Sequence, residues 1–226
     1  KANSSNIVHY RDGDFKIRPV DLNDLEIKEE EQNTSEALIR GIAYRLNSLG
    51  YHYGGFDALC HSKVLVGSGI SSSACFEVML VEIFNALYNG NVINPVERAK
   101  IGMYAENVFF GKPSGLLDQM AISVGGFVTI DFKKPEEPVI ENFDFSFADY
   151  GYDLILVNTK GDHSDLSHEY AAVPNEIRSV AHELGVEYLA DSSLDQLLDN
   201  FATIRDKIGN DRAMLRALHF YNRLIL

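Results

Sequence analysis

Residues Gly67–Ala74 have the sequence GSGISSSA, a glycine-containing loop that continues into three consecutive serines. The residues before it, FDALCHSKVLV at 56–66, have the composition of a strand. About 15 residues after it have the apolar spacing of a buried helix. Glycines let a backbone turn tightly, and free N–H groups at a helix N-terminus attract anions. The loop is therefore a candidate phosphate site, and a serine-rich helix cap is an equally good interpretation of the same residues.

Two other interpretations of this loop are disfavoured by its sequence. It lacks the Gly-Lys-Ser/Thr of a Walker loop, and Ser72 stands where the third glycine of G-x-G-x-x-G would be. A serine nucleophile is disfavoured because the G-x-S-x-G elbow is absent.

The flanking segments predict a mixture of helices and strands. Asn33 and Glu36 have the spacing of a capping box before a helix that Gly50 ends, and a second helix begins at Asn94-Pro95 and runs to Phe110. Further helices are expected near residues 169–184 and 192–208. The predicted strands are Asn6–His9, Phe15–Pro19, Gly126–Phe132 and a buried Asp153–Asn158.

Glu106 is the first of two carboxylates in unusual surroundings. Its neighbours at helical spacing are Gly102, Met103, Phe109 and Phe110. A carboxylate on such a face is either buried, where a metal ion is a suitable partner, or lies at a helix end and reaches solvent. The residues alone leave both interpretations open, with a slight preference for solvent.

Asp118 is the second carboxylate, in GLLDQM at residues 115–120, after the helix break formed by Gly111 and Pro113. An acidic residue in the first turn of a helix is often there only because the helix dipole favours it. The functional interpretation is a base or orienting group for a hydroxyl. A helix N-terminus makes a carboxylate less basic, but phosphoryl transfer depends mainly on positioning and charge neutralisation.

Composition excludes several classes of protein. The 226 residues carry a net charge of −13, which argues against sequence-independent nucleic-acid binding and against an anionic membrane partner. No apolar run approaches the roughly 20 residues of a membrane helix. Cys60 and Cys75 lack metal-ligand spacing, so a reduced, cytoplasmic protein is expected. The chain begins without Met, and we expect its true N-terminus to be missing.

Three segments in this order resemble the GHMP small-molecule kinase family, and galactokinases within it. They are GSGISSSA at Gly67–Ala74, AENVFFGKPSGLLDQ at Ala105–Gln119 and NTKGDHSDLSHEY at Asn158–Tyr170. The resemblance extends over about residues 2–219, and the spacing of Glu106 and Asp118 matches that of the metal ligand and catalytic carboxylate of galactokinases.

The resemblance implies a role for each matching residue. Ser73 (or Ser72) and Glu106 would hold Mg²⁺, Asp118 would face the sugar C1 hydroxyl, and Gly115 and Tyr170 would line the sugar pocket with it. The residues that would cradle the phosphates of ATP are Gly67, Ser68, Gly69, Ser71, Ser72 and Ser73.

The implied fold is α+β with two domains. The N-terminal ATP-binding domain, residues 1–147, would contain a left-handed β-α-β unit, which is an exception to the usual right-handed rule. Residues 148–226 would form part of a ferredoxin-like C-terminal domain. The implied reaction converts ATP and galactose into ADP and galactose 1-phosphate, in a cytoplasmic protein that we expect to be a monomer without nucleic-acid or membrane partners.

The chain also departs from the family pattern. Ser114 stands where galactokinases usually have Cys, a conservative change. The family's first motif and its C-terminal glycine-rich motif are not found, so this piece alone is not expected to be active. Two alternatives stay open: a GHMP kinase for another sugar, such as N-acetylgalactosamine or arabinose, and a catalytically silent galactose and ATP sensor that regulates transcription through a partner protein.

Overall fold

A computed structural model of the protein describes residues 1–13, 15–64, 69–157 and 167–223. The chain divides into two compact units, Lys1–Ser164 and Asp165–Leu226. It contains both helices and small sheets, which confirms the predicted α+β class. The family-domain boundary between residues 147 and 148 stays a prediction, as does the handedness of the β-α-β unit.

The first unit contains the strands and the first four helices of the described chain. The strands are β1 (Ile7–Asp12), β2 (Phe15–Lys16), β3 (Val20–Asp21), β4 (Asp57–Cys60), β5 (Phe127–Asp131) and β6 (Val139–Phe143). The α-helices are α1 (Ser35–Ser48), α2 (Ser72–Tyr88), α3 (Pro95–Tyr104) and α4 (Leu117–Val124). A π-helix covers Ala105–Phe110, and 3-10 helices cover Glu29–Glu31 and Phe147–Tyr150.

Strand β1 organises the larger sheet. It pairs antiparallel with β2 and β3 and parallel with β4, in a register from His9 opposite Asp57 to Asp12 opposite Cys60. Helix α1 lies between β1 and β4 in sequence, so the three elements form a β-α-β unit. The predicted strand 56–66 is too long over its described part, because the register with β1 ends at Cys60 and residues 61–64 form no strand. Leu65 and Val66 lie outside the described residues.

The core of this unit lies between the sheet and helices α1 and α2. Val8 of β1, Ile39 of α1, Leu80 of α2 and Phe56 are all at most 1% exposed. The rings of Phe56 and Phe84 meet edge to face, with 5.2 Å between centroids. Burial of these apolar side chains fixes α2 against the sheet.

The predicted helix starts have different outcomes. Asn94 caps α3, because its side chain accepts a hydrogen bond from the Glu97 N–H, which confirms the prediction. The predicted capping box at Asn33 is wrong. The N-cap of α1 is Thr34, Asn33 has a left-handed φ of +60°, and the Glu36 carboxylate instead accepts a hydrogen bond from Arg18 Nε at 2.9 Å.

The helix predicted to run from Asn94 to Phe110 changes its geometry after Tyr104. Its last six residues form the π-helix, whose wider turn carries one extra residue. Phe109 of this π-helix packs on Gly41 of α1, where a Cβ atom would lie 2.8 Å from the Phe109 ring. The absence of a side chain at Gly41 therefore allows the π-helix to approach α1 closely.

The predicted buried strand Asp153–Asn158 is wrong over its described part. Residues 153–157 form no strand, and the side chains of Leu154, Ile155, Leu156 and Val157 are 70–79% exposed. An apolar run becomes a buried strand only beside a hydrogen-bonded partner strand, and none of the described residues supplies one.

No helix in the described ranges is long and apolar enough to span a membrane.

The second unit is helical in its described residues. It contains α5 (Ser167–Glu183), α6 (Leu194–Asp199), α7 (Phe201–Ile208) and α8 (Asp211–Arg223), with a 3-10 helix at Leu189–Asp191. The single helix predicted at 192–208 is two helices, separated at Asn200, and the first begins with a capping box between Ser193 and Gln196. The ferredoxin-like arrangement stays a prediction.

Candidate active site

The predicted phosphate loop ends at an uncapped helix start. Ser71 is the N-cap of α2, but it has a left-handed φ of +58° and its side chain makes no capping hydrogen bond. The helix-cap interpretation of the three serines therefore lacks its defining contact at Ser71. Free N–H groups in the first turn of α2 are suitable donors for an anion. Gly69 has φ at +76°, and Gly67 and Ser68 lie outside the described residues.

Glu106 is buried, which excludes the interpretation that it reaches solvent. The residue is 2% exposed and lies in the π-helix. Its Oε1 atom is 3.3 Å from Nζ of Lys112, and its Oε2 atom accepts a hydrogen bond of 2.9 Å from Nε2 of Gln119. A buried carboxylate requires such partners, because removing its charge from water is otherwise unfavourable.

Gln119 connects Glu106 to a second buried carboxylate. The same Nε2 atom donates to Oε2 of Glu77 at 3.0 Å, and Gln119 is 1% exposed while Glu77 is fully buried. Glu77 belongs to α2, Glu106 to the π-helix and Gln119 to α4. One amide group therefore joins the phosphate-loop helix, the predicted metal ligand and the helix that carries Asp118.

Burial, followed by the negative charge of Glu106, raises the pKa of Glu77 from 4.5 to about 8. The hydrogen bond from Gln119 acts against this rise without reversing it. Glu77 is therefore protonated at neutral pH. This protonation explains how two carboxyl groups can share one buried amide without the full repulsion of two like charges.

Asp118 lies in the first turn of α4, with an exposed side chain, directly before Gln119. The loop that precedes it is held by Asn107 of the π-helix. The Asn107 side chain accepts a hydrogen bond from the Ser114 N–H at 2.6 Å and donates one to the Ser114 carbonyl at 3.2 Å. These contacts fix the approach to Gly115, which is exposed, and to Asp118.

The predicted ligand Ser73 lies on the same face of α2 as Glu77, because the two residues are four positions apart in one helix. The structure thus brings the start of α2, Glu106 and the Asp118 helix into one part of the first unit. Tyr170 lies in α5 of the second unit, and its side chain is outside the described residues. Its predicted place in the sugar pocket remains a prediction.

The oxygen atoms at this site suit Mg²⁺ in kind. Mg²⁺ is usually bound through one or two carboxylates together with water and substrate phosphates. Glu106 supplies a carboxylate and Ser73 a hydroxyl, and the buried atoms Glu77 Oε1 and Gln119 Oε1 have no hydrogen-bond partner among the described residues. Within the described ranges no group of three or more His, Cys, Asp or Glu side chains could hold a metal ion. One carboxylate and one hydroxyl supply only part of the coordination of Mg²⁺, so this donor set fits an ion that is shared with a nucleotide.

Three residues at the site were not singled out from the sequence: Glu77, Lys112 and Gln119. Glu77 had a recognisable signal, because it is a charged residue among Ala74, Val78 and Val81, which are all buried in α2. Gln119 and Lys112 had no such signal, because their roles depend on contacts between separate elements.

Comparison with known proteins places these residues in a family context. Residues 37–126 match the family model described as the GHMP kinases N terminal domain. This range includes α2, the π-helix and α4, and therefore Glu77, Glu106 and Asp118.

Several curated galactokinases are similar to the chain. The Clostridium tetani protein is 27% identical over 209 residues, which is 88% of this chain and 50% of that protein. The Levilactobacillus brevis protein is 30% identical over 168 residues, 70% of this chain and 41% of that protein. The Pyrococcus furiosus protein is 41% identical over 87 residues, 38% of this chain and 24% of that protein. The chain thus spans about half the length, or less, of these relatives.

A solved structure shares the fold. It is a D-glycero-D-manno-heptose 1-phosphate kinase from Bacteriodes thetaiotaomicron, with a TM-score of 0.51 and 16% identity. The match covers 65% of this chain and 47% of that one. At this identity the likeness concerns the fold alone.

Proposed function

This chain belongs to the GHMP kinase family, and on that premise we propose that it is part of an ATP-dependent kinase that phosphorylates galactose at its C1 hydroxyl. One observation carries the proposal: Gln119 bonds to both Glu77 and Glu106 and directly follows Asp118. Phosphoryl transfer requires phosphate donors, a metal-binding carboxylate and a hydroxyl-orienting group close together. The bridge connects the three elements on which we propose that these groups lie.

The start of α2 would bind the phosphates of ATP. Its first-turn N–H groups lack a side-chain cap from Ser71, and Gly69 allows the backbone to approach a ligand closely. We propose that Gly67, Ser68 and Ser72 complete this cradle. The fixed packing of α2 against the sheet would hold these donors in place before the nucleotide arrives.

Glu106 and Ser73 are the residues that we propose to hold Mg²⁺, which when bound would neutralise charge on the β- and γ-phosphates. Glu106 is suited to this role because Gln119 fixes one of its oxygens and leaves the other to a cation. The neutral form of Glu77 keeps the bridge from adding a second full negative charge at neutral pH.

Asp118 would orient the C1 hydroxyl and accept its proton. The hydroxyl oxygen forms a bond to the γ-phosphorus, the bond between that phosphorus and the β–γ bridging oxygen breaks, and ADP leaves. The exposed position of Asp118 in the first turn of α4 leaves its carboxylate accessible to a substrate. Gly115 is proposed to line the sugar pocket with Asp118.

Galactose is proposed as the substrate because several curated relatives are galactokinases. The solved relative is named for a heptose phosphate, so the sugar must be tested directly. The test is ADP release by the full-length protein that contains this chain, with Mg-ATP and a panel of sugars. Release with galactose supports the proposal, release with another sugar corrects the substrate, and no release with any sugar refutes the kinase.

The role of Asp118 is tested by Asp118→Ala in the same protein. We expect kcat to fall by roughly 10²–10⁴-fold, the usual contribution of a general base, while ATP binding changes little. Asp195→Ala is the matched control, because Asp195 is also exposed in the first turn of a helix. Equal turnover in the two variants would remove Asp118 from the mechanism.

A further inference from the structure

Lys112 covers the oxygen of Glu106 that faces away from Gln119. The Glu106 side chain is 3% exposed and the Lys112 side chain is 37% exposed, so the ammonium group reaches a buried carboxylate from the surface. Oε2 of Glu106 bonds to Gln119 on the inner side, and Oε1 is 3.3 Å from Lys112 Nζ. The atom available to a metal ion is thus the one that Lys112 contacts.

The backbone keeps Lys112 within reach of this carboxylate. The N–H groups of Gly111 and Lys112 both donate to the carbonyl oxygen of Glu106, at 3.0 and 3.1 Å. Gly111 permits this reversal of the chain because its φ is +85°, a value that favours glycine. The π-helix therefore ends in a turn that returns the Lys112 side chain to Glu106.

We propose that Lys112 is a tethered cation: it occupies Oε1 of Glu106 when no nucleotide is bound and moves to the phosphates when a nucleotide binds. This inference rests on the proposed function, because it takes Glu106 as the metal ligand. An ammonium group and a divalent ion cannot share one carboxylate oxygen without strong repulsion. A divalent ion must therefore displace Lys112.

Nucleotide phosphates offer the displaced ammonium a new partner. Lysine binds phosphate as a flexible point charge, and the partial exposure of Lys112 leaves its tip free to move. The metal ion and the nucleotide would then favour each other's binding, because each removes a competitor of the other. In the free protein, by contrast, the divalent ion binds weakly.

The first experiment measures Mn²⁺ binding to the nucleotide-free, full-length protein by electron paramagnetic resonance. Lys112→Met keeps most of the aliphatic stem and removes the charge, and we expect about tenfold tighter Mn²⁺ binding. Lys112→Arg keeps the charge and should bind Mn²⁺ as weakly as the wild type. Lys100→Met is the matched control, because the Lys100 ammonium donates to the carbonyl of Glu136 instead of Glu106.

The second experiment measures ADP binding in EDTA by calorimetry. Lys112→Met should bind metal-free ADP several-fold more weakly than the wild type, whereas Lys100→Met should not differ from it. If Lys112 were only a structural ion-pair partner of Glu106, Lys112→Met would lower thermal stability without changing the affinity for Mn²⁺ or for ADP. Thermal melting of each variant confirms that it is folded, and Lys112→Gln, which also removes the charge, carries the test if the Met variant unfolds.

The outcomes separate this inference from the proposed function. Equal Mn²⁺ affinity in wild type and Lys112→Met, with Mn-ADP still bound by both, overturns the tethered cation and leaves the kinase proposal in place. Failure of the wild type to bind ADP or Mn-ADP refutes the proposed function itself. The tethered cation is supported if Lys112→Met, and none of the other variants, binds Mn²⁺ more tightly and metal-free ADP more weakly than the wild type.

Discussion

Replacing Glu77 by Gln should change how the stability of the protein depends on pH. Glu77 is fully buried, and burial together with the charge of Glu106 raises its pKa from 4.5 to about 8. Glutamine has nearly the shape of a protonated glutamic acid but does not ionise in this range. The Glu77→Gln variant therefore isolates the contribution of ionisation at this one position.

The sign and size of the effect follow from the two pKa values. Below pH 4.5 Glu77 is protonated in both the folded and the unfolded states. Between pH 4.5 and 8 the unfolded chain loses this proton and the folded protein keeps it, so the free energy of unfolding falls as pH rises. Above pH 8 both states are ionised and the loss levels off. The difference between 4.5 and about 8 corresponds to a loss on the order of 5 kcal/mol, at about 1.4 kcal/mol per pKa unit.

The assay is urea unfolding of the full-length protein, followed by far-UV circular dichroism at pH values from 5 to 9 in EDTA. Relative to the wild type, Glu77→Gln should gain several kcal/mol of stability as pH rises, and most of the gain should appear before about pH 8. Glu82→Gln in the same helix is the control, because its side chain is 47% exposed. Parallel pH profiles for wild type and Glu77→Gln would show that Glu77 does not hold a proton in the folded protein.

Two further predictions concern packing and capping around the site. Gly41→Ala should destabilise the first unit by about 1–2 kcal/mol in urea unfolding. The added Cβ atom would lie 2.8 Å from the Phe109 ring, and this overpacking outweighs the gain of about 1 kcal/mol in helix propensity. A stabilised variant would contradict the close contact. Asn94→Ala should lower the free energy of unfolding by about 1 kcal/mol because α3 loses its cap, and Asn94→Ser should recover most of this loss. Equal losses in the two variants would exclude the capping contact.

Local features of the fold were predictable from the sequence because neighbouring residues determine them. The start of α3 depends on Asn94, Pro95 and Glu97, which lie within four positions, and the structure has the predicted cap. The helix after the serines follows from apolar spacing alone. Asn33 shows the limit of this reasoning: Thr34 next to it can also serve as an N-cap, and the Asn33 N–H instead donates to the carbonyl of Phe110.

The bridge at the candidate site could not be predicted, because it depends on residues far apart in sequence. Gln119 is 42 positions from Glu77 and 13 from Glu106. Helical periodicity indicates which face of each helix is buried, but it does not indicate which side chains meet there. The strand expected at 153–158 is not formed by its described residues, 153–157, for a related reason: an apolar run does not specify whether a partner strand is present.

The π-helix explains why Glu106 has different neighbours on its two sides. Its wide turn ends where Gly111 and Lys112 both bond to the Glu106 carbonyl, so the element that carries the carboxylate also returns a cation to it. On the inner side, Gln119 is neutral and Glu77 is protonated near neutral pH, so the charge of Glu106 is balanced from outside by Lys112. A divalent ion in place of Lys112 would carry one more positive charge than the Glu106 carboxylate balances. Nucleotide phosphates are the groups that can offset this excess. On the proposed function, this arrangement would favour arrival of the metal together with the nucleotide over binding of the metal alone.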